Sequence, residues 1–230
     1  MRGITKGVTS CGTGCHIGGT PACILMYADD LVLLAPSWRA QQKLINACTK
    51  LVARIGMKFN ATKSMTMIFM PHKTTRRVLS TFPNFTPSGV ALNSCKYLGH
   101  IIFSVNDDDQ DIARQMSLLY ARANMLIRKF SKCSRDVKLC LFRAYCTQFY
   151  GAELWQCFRS SVLQRFEAAY VKCVKMLFGF ARRDSVTAMF YELGLPTFKT
   201  IIHNAKVKMD SCLKVHSNVL IRSACSAVYV

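Results

Sequence analysis

Two short apolar runs near the start of the chain enclose a pair of carboxylates. Residues 24–27 and 31–34 are apolar, and Asp29 and Asp30 lie between them. Runs of four residues are too short for a comfortable helix and are typical of buried strands. The pattern therefore predicts a β-hairpin with both aspartates at its turn.

A helical period begins directly after this hairpin. Apolar residues recur at helical spacing from Leu44 to Ile55. Ser37 is a suitable N-cap and Gly56 a suitable stop, so we expect one helix between them. A strand over about 64–69 follows, and together with the hairpin it predicts a β-β-α-β unit packed in two layers.

The segments around this unit carry weaker patterns. Residues 1–21 are rich in Gly, Thr and Ser without any period, which predicts a loop or frayed lead-in. Residues 71–94 indicate an exposed connection with a short extended segment near 90–92. Residues 95–103 predict a second hairpin that bends at or near Gly99.

The rest of the chain has a helical period. The first long helix buries a stripe from Ile112 to Phe130, and Ser134 and Ser161 are suitable caps for the next two helices. Further helices are expected at about 185–193 and 197–215. The acidic run at 106–109 is open to two interpretations, a metal site or favourable charge at a helix N-terminus, and we favour the second.

These patterns predict an α+β protein in three segments. Residues 1–23 form a lead-in, residues 24–105 a sheet with a packed helix, and residues 106–230 an all-helical subdomain. With 51% hydrophobic residues the chain can bury a core. No apolar run reaches the roughly 18 residues of a membrane span, and no signal peptide is evident, so we expect an intracellular protein, nuclear or cytoplasmic.

Charge and cysteine content narrow the possible partners. The net charge of +19 and a pI near 9.7 favour a polyanion, either nucleic acid or an anionic membrane surface. The twelve cysteines are scattered without a Cys-x-x-Cys pair, which is typical of a reducing compartment. Cys11, Cys15 and His16 are a weak zinc candidate because no second ligand pair accompanies them.

The aspartate pair is the strongest candidate for chemistry. Adjacent carboxylates at the rim of an apolar sheet repel each other, and a divalent cation would relieve that repulsion. Ligands that are all oxygen favour Mg²⁺, which is usually held by one or two carboxylates together with substrate phosphates. The chemistry that follows is metal-assisted phosphoryl transfer. The alternative is an ordinary hairpin turn with two solvated aspartates.

Three segments, in this order, resemble the reverse transcriptases of non-LTR retrotransposons. They are Met26-Tyr27-Ala28-Asp29-Asp30, then the stretch 55–64 that ends in Asn60-Ala61-Thr62-Lys63-Ser64, then Lys96-Tyr97-Leu98-Gly99. They resemble that family's palm motifs C, D and E, and residues 14–19 resemble the approach to motif C. The resemblance covers about residues 11–104, while 107–230 match a thumb only by position and basic helical pattern.

The resemblance implies a polymerase palm followed by a thumb, with RNA template, DNA primer and deoxynucleotide triphosphates as partners and no evident protein partner. Asp29 would bind the catalytic Mg²⁺ or Mn²⁺ with support from Asp30, and Lys63 would lie near the triphosphate. The alternative interpretation of Lys63 is a solvated lysine on a strand edge. The residues expected to contact nucleic acid are Tyr27, Tyr97, Leu98, Gly99, Arg114, Arg122 and Lys129.

One departure from the family bears on activity. Two-metal catalysis needs a further carboxylate from motif A, and residues 1–23 contain no acidic residue. The fingers and motif B have no counterpart either. We therefore expect a reverse-transcriptase fragment that is inactive alone. A basic nucleic-acid-binding module without catalysis and a non-functional retroelement relic are the alternatives.

Overall fold

The computed structural model describes residues 2–60, 62–69, 91–105 and 107–228, and it is a mixed α+β structure. The chain divides into two compact units. The first unit comprises residues 1–93 and 211–230, and the second comprises residues 94–210. Each unit is described by itself below.

The described residues of the first unit form short strand pairs and three helices of its own. The strands are β1 His16–Ile17, β2 Thr20–Pro21, β3 Ile24–Tyr27, β4 Asp30–Leu33, β5 Thr66–Met67 and β6 Ala91–Leu92. The helices are α1 Arg2–Thr9, α2 Trp38–Arg54 and α8 Val219–Val228. Pairs β1–β2 and β3–β4 are antiparallel, whereas β5 pairs parallel with β6.

The hairpin β3–β4 and helix α2 follow the sequence prediction. Ser37 is the N-cap of α2 and its side chain accepts a hydrogen bond from the Ala40 amide, while Gly56 follows the helix with a φ of 74°. The core of this unit joins α1, α2 and the hairpin. Its buried members are Ile4, Val8, Cys23, Ile24, Leu44, Cys48 and Val52.

Two expectations for this unit need correction. Residues 1–21 are not a loop throughout, because Arg2–Thr9 form α1 and bury Ile4 and Val8 against the core. The expected strand over 64–69 is limited to Thr66–Met67, and it pairs with Ala91–Leu92. Most of the expected connection over 71–94, from 71 to 90, lies outside the described residues.

The second unit is a hairpin followed by helices. The hairpin strands are β7 Ser94–Tyr97 and β8 His100–Phe103. The helices are α3 Asp109–Phe130, α4 Arg135–Cys146, α5 Ser160–Phe178, α6 Val186–Leu193 and α7 Phe198–Lys214, with a 3₁₀ turn at Ala152–Leu154. Helix α7 belongs to this unit up to residue 210.

The helix ends agree with the sequence prediction except at one cap. Ser134 is the N-cap of α4, as expected, and Gly179 is the C-cap of α5. The prediction that Ser161 caps the third helix is wrong, because α5 begins at Ser160 with Arg159 as N-cap. Helices α6 and α7 match the expected ranges closely.

An aromatic core holds the second unit together. Phe149, Phe166 and Tyr170 are buried and pack around Phe198, and Phe142 packs against Tyr170, with ring centroids 4.7–6.2 Å apart. Such contacts add stabilisation beyond the burial of apolar area. The hairpin β7–β8 belongs to this helical unit. The two compact units therefore divide between residues 93 and 94, whereas the sequence predicts a division between residues 105 and 106.

None of the helices in the described part of the chain combines the length and the hydropathy that a membrane span requires.

Candidate functional site

The turn of hairpin β3–β4 carries the aspartate pair, as the sequence predicts. Tyr27 pairs with Asp30, so Ala28 and Asp29 form a two-residue loop. Ala28 has a φ of 49°, a conformation that usually requires glycine in such a loop. Asp29 and Asp30 are both exposed. The turn therefore presents two carboxylates to solvent from a backbone held in an unfavourable conformation.

One face of the hairpin is fixed and the other is open. Ile24 is 8% exposed and, with Met26, contacts the core of the first unit. Side chains alternate along a strand, so Leu25 and Tyr27 occupy the opposite face, where they are 38% and 63% exposed. Asp30 lies opposite Tyr27 and shares that open face.

Contacts within the first unit hold the hairpin in place. The Thr5 hydroxyl on α1 lies 3.3 Å from the sulfur of Met26. At the other end, the Leu34 amide donates to the Cys23 carbonyl at 2.9 Å, and the Cys15 amide donates to the Leu34 carbonyl at 3.1 Å. The turn thus projects from an anchored base, which is a good support for a binding group.

The aspartate pair belongs to a unit that is otherwise strongly basic. Asp29 and Asp30 are the only acidic residues in the sequence of the first unit, against 13 lysines and arginines. Two oxygen ligands of this kind suit Mg²⁺ or Mn²⁺, which also take ligands from water and substrate phosphates. Among the described residues, no group of three or more His, Cys, Asp or Glu side chains could hold a metal ion.

Lys63 lies on a turn that Asn60 organises. The Asn60 side-chain oxygen accepts hydrogen bonds from the amides of Thr62 and Lys63, at 3.1 and 3.3 Å, and from the Thr62 hydroxyl. The Lys63 side chain is exposed. Its ammonium group is therefore free to meet an anion from solvent, in the same unit as the aspartates.

The second predicted turn has the same pairing register as the first, but both of its loop residues have a positive φ, whereas in the first only Ala28 does. Tyr97 pairs with His100, and the loop residues Leu98 and Gly99 have φ values of 45° and 82°. The Tyr150 hydroxyl donates to the Leu98 carbonyl at 2.7 Å, and a Cβ on Gly99 would lie 3.0 Å from the Tyr150 ring. This turn is therefore fixed to Tyr150, which precedes the 3₁₀ turn of the second unit.

The three basic residues predicted on α3 have different surroundings. Arg114 donates to the buried Asp111 carboxylate at 2.6 and 2.9 Å. Arg122 donates to the carbonyls of Tyr145 and Gln148, which lie in the last turn of α4 and just beyond it. Lys129 is exposed. Two of the three guanidinium and ammonium groups thus already have protein partners.

A buried network at the start of α3 was not anticipated from the sequence. Asp111 is fully buried, and its carboxylate accepts from the Trp155 indole at 2.9 Å and from the Ile101 amide at 3.2 Å. His100 Nδ1 lies 3.0 Å from the same carboxylate without the alignment of a hydrogen bond. The network ties β8 to α3 and to the segment before α5.

The acidic run before α3 has similar partners. Asp108 accepts from the amides of Gln156 and Cys157 at 2.8 and 2.9 Å. Asp109 accepts from the amide and the guanidinium of Arg159. Burial alone raises the pKa of Asp109, but these hydrogen bonds outweigh it and hold its pKa below the usual range. The acidic run does begin a helix, as predicted, and it also ties that helix to residues 156–159.

No family model, no curated protein and no solved structure matches the chain.

Proposed function

We propose that the chain is part of an RNA-directed DNA polymerase of the retrotransposon type, in which Asp29 and Asp30 hold Mg²⁺ or Mn²⁺ against the phosphates of a deoxynucleotide. The observation that carries this proposal is the turn itself. The only two acidic residues in the sequence of the first unit stand next to each other at the exposed tip of an anchored hairpin.

Backbone conformation supports a functional interpretation of this turn. A positive φ at a non-glycine residue such as Ala28 costs free energy, and such residues are concentrated at functional sites. An ordinary solvated turn would have no reason to combine that cost with the repulsion of two adjacent carboxylates.

Each polar group has a defined task in this proposal. Asp29 and Asp30 bind and orient the cation, which supplies positive charge to the phosphate oxygens when bound. Lys63 offsets negative charge on the leaving pyrophosphate. Tyr97, Leu98 and Gly99 support the primer end, and Lys129 contacts the phosphate backbone.

Nucleotidyl transfer needs one more carboxylate than the first unit contains. We therefore expect the isolated chain to extend no primer on an RNA or DNA template. Templated extension by the isolated chain, lost in Asp29→Asn, would contradict the assignment of an incomplete site.

Manganese binding tests the proposal without requiring activity. Paramagnetic Mn²⁺ broadens the amide signals of nearby residues, so in ¹⁵N-labelled protein we expect selective broadening at residues 28–31. The effect should be strongly reduced in Asp29→Asn and Asp30→Asn, and addition of a deoxynucleotide triphosphate should tighten binding because its phosphates supply further ligands. Asp136→Asn, at an exposed aspartate on α4 of the second unit, is the matched control.

Uniform broadening at all exposed carboxylates, or equal broadening at residues 28–31 in the Asp29→Asn variant, would contradict a metal site at this turn.

A nucleic-acid-binding module without catalysis is the second candidate, and the charge distribution favours it. Lysine and arginine exceed acidic residues in both units, by 13 to 2 in the first and by 18 to 10 in the second. Such an excess binds phosphate backbones without sequence preference and with steep salt dependence. Duplex affinity that is unchanged by Asp29→Ala and Asp30→Ala, with no effect of Mg²⁺, would favour the module over the polymerase.

A further inference from the structure

A small cleft in the second unit combines two cationic side chains with two aromatic rings. It has a volume of about 280 Å³ and is lined by Arg135 and Lys138 of α4, by Phe178, Gly179 and Phe180 around the end of α5, and by Glu192 of α6. We propose that this cleft binds one nucleotide of a single-stranded nucleic acid, with the phosphate at the cations and the base against the rings. The inference rests on the nucleic-acid partner of the proposed function and assigns it a specific contact.

The cationic side of the cleft is built on one helix face. Arg135 and Lys138 are three positions apart on α4, so their side chains are neighbours. The one acidic group of the lining, Glu192, accepts from Arg135 at 2.6 Å, and both side chains are about half exposed. An ion pair this exposed is weak. A phosphate can therefore replace Glu192 as the partner of Arg135, while Lys138 adds a second positive charge.

The aromatic side depends on a glycine cap. Gly179 has a φ of 78° and ends α5, and the amides of Gly179 and Phe180 both donate to the Lys175 carbonyl. This reversal places Phe178 and Phe180 on the same cleft. Both rings are partly exposed, and Phe178 is held by an edge contact with Phe142 at 6.1 Å. Rings of this kind are platforms for base stacking.

The loop after Phe180 is held in a defined conformation. The Lys175 ammonium donates to the carbonyls of Arg182 and Asp184 at 2.9 and 2.7 Å, and the Asp184 carboxylate accepts from the Ala181 amide at 2.6 Å. The side chains of Arg182 and Arg183 remain exposed beside it. The loop on the aromatic side of the cleft is therefore ordered before a nucleotide binds, so binding costs little conformational entropy there.

Stacking and charge together select a single strand. In a duplex each base is already stacked between its neighbours, so only an unpaired base can lie against a protein ring. The cleft is slightly smaller than typical pockets for small molecules, which suits one nucleotide rather than a longer segment.

Binding of fluorescein-labelled oligothymidylate and of labelled duplex DNA, measured by fluorescence anisotropy over a range of salt, tests the proposal on the full chain. Phe180→Leu keeps an apolar side chain of similar size and removes the ring. We expect it to weaken oligothymidylate binding by about tenfold and to leave duplex binding nearly unchanged. The salt dependence should stay the same, because no charge is removed.

Charge variants give a second, independent readout. Arg135→Gln and Lys138→Gln should each reduce the slope of log affinity against log salt by about 0.7 for the single strand. Glu192→Gln removes the competing carboxylate and should raise the affinity several-fold. Lys208→Gln, an exposed lysine on α7 outside the cleft, is the matched control for loss of one charge.

The outcomes separate this inference from the proposed function. If the wild-type chain binds single strands and Phe180→Leu and Arg135→Gln behave like Lys208→Gln, the cleft is not the site and the wider proposal is untouched. If Glu192→Gln weakens binding, the competition argument is wrong and the inference falls. If the wild-type chain binds neither nucleic acid, both proposals fail, whatever the manganese experiment gives.

Discussion

Ala28 is the residue at which the aspartate-bearing turn departs from ordinary backbone conformation. Its φ of 49° is reached only at a cost by an L-amino acid, and a side chain branched at Cβ makes the cost larger. The register of the hairpin forces this conformation, because Tyr27 pairs with Asp30 and leaves two residues for the loop.

Ala28→Val should therefore destabilise the first unit by about 1–2 kcal/mol, whereas Ala28→Gly should change its stability by less than about 0.5 kcal/mol. Urea unfolding followed by circular dichroism measures both. If valine and glycine are equally tolerated, the turn does not require a positive φ.

At the scale of single residues, the sequence predicts which residues lie at the turn but not the backbone conformation that they adopt. The two apolar runs are enough to place Asp29 and Asp30 at a turn, because strand length and alternation are local properties. The positive φ of Ala28 follows from the pairing register, which the apolar pattern alone leaves undetermined.

The first turn of α3 carries the buried carboxylate that joins several segments of the second unit. Asp111 is fully buried, and Arg114, Trp155 and Ile101 all donate to its carboxylate. We expect Asp111→Ala to destabilise this unit by about 3–5 kcal/mol, since it leaves several buried donors without an acceptor. Thermal or urea unfolding measures the loss. Asp136→Ala, at an exposed aspartate in the first turn of α4, should cost less than about 1 kcal/mol.

A cost for Asp111→Ala no larger than that of Asp136→Ala would show that the network contributes little to stability.

Asp109 gives this element a dependence on pH. Its pKa is lower in the folded chain than the usual value, because the hydrogen bonds from Arg159 outweigh the effect of burial. The stability gained from the ionised carboxylate is therefore complete above the ordinary aspartate pKa of about 4 and is lost as the pH falls through the lower folded-state value. The difference in unfolding free energy between the wild type and Asp109→Asn should shrink as the pH falls from about 5 into the acid range. A difference that stays constant over this range would contradict the assignment.

Helices and their ends are predictable at this scale, and the ties between them are not. The period of 3.6 identifies α2 and α3 because each buries one face. The contact between Asp111 and Trp155 joins residues 44 positions apart, which no local pattern reveals. Helix α1 was missed because Gly3 and Gly7 lower its helix propensity. Gly7 instead allows close approach, since a Cβ there would lie 2.7 Å from Leu51 of α2.

The whole molecule is an α+β chain of two units, and its thiols report on each unit separately. Burial raises the pKa of Cys48 in the first unit to about 11. Burial is also the main cause that raises the pKa of Cys146 to about 12 and of Cys173 to about 11 in the second. A thiol reacts as its thiolate, so these three cysteines are protected both by burial from the reagent and by a raised pKa that keeps them protonated.

At about pH 8 we expect iodoacetamide to modify the exposed cysteines first, and Cys48, Cys146 and Cys173 only as their units unfold. The exposed cysteines are Cys11, Cys140, Cys157 and Cys212. Mass spectrometry of the digested protein over a urea series measures each site. Modification of Cys48 in the native protein at the rate of Cys140 would contradict the core described for the first unit.

The sequence predicts the mixed fold class, and the structure assigns one hairpin differently. The change from strand to helix period falls near residue 106, so sequence analysis separates residues 95–103 from the helices. Hydrogen bonds from the Ile101 amide to Asp111 and from the Tyr150 hydroxyl to the Leu98 carbonyl bring this hairpin into the helical unit instead. Long-range polar contacts decide the boundary, and they leave no periodic signal.

The two tryptophans of the chain are divided between the units. Trp38, at the start of α2, is 41% exposed with the Arg39 guanidinium 5.3 Å from its ring centre, whereas Trp155 is completely buried. Their fluorescence should differ accordingly, with Trp155 emitting at the shorter wavelength and Trp38 open to collisional quenchers. The emission wavelength therefore reports unfolding of the second unit, and the quenching of Trp38 reports unfolding of the first. A single fluorescence experiment can thus determine which unit unfolds first.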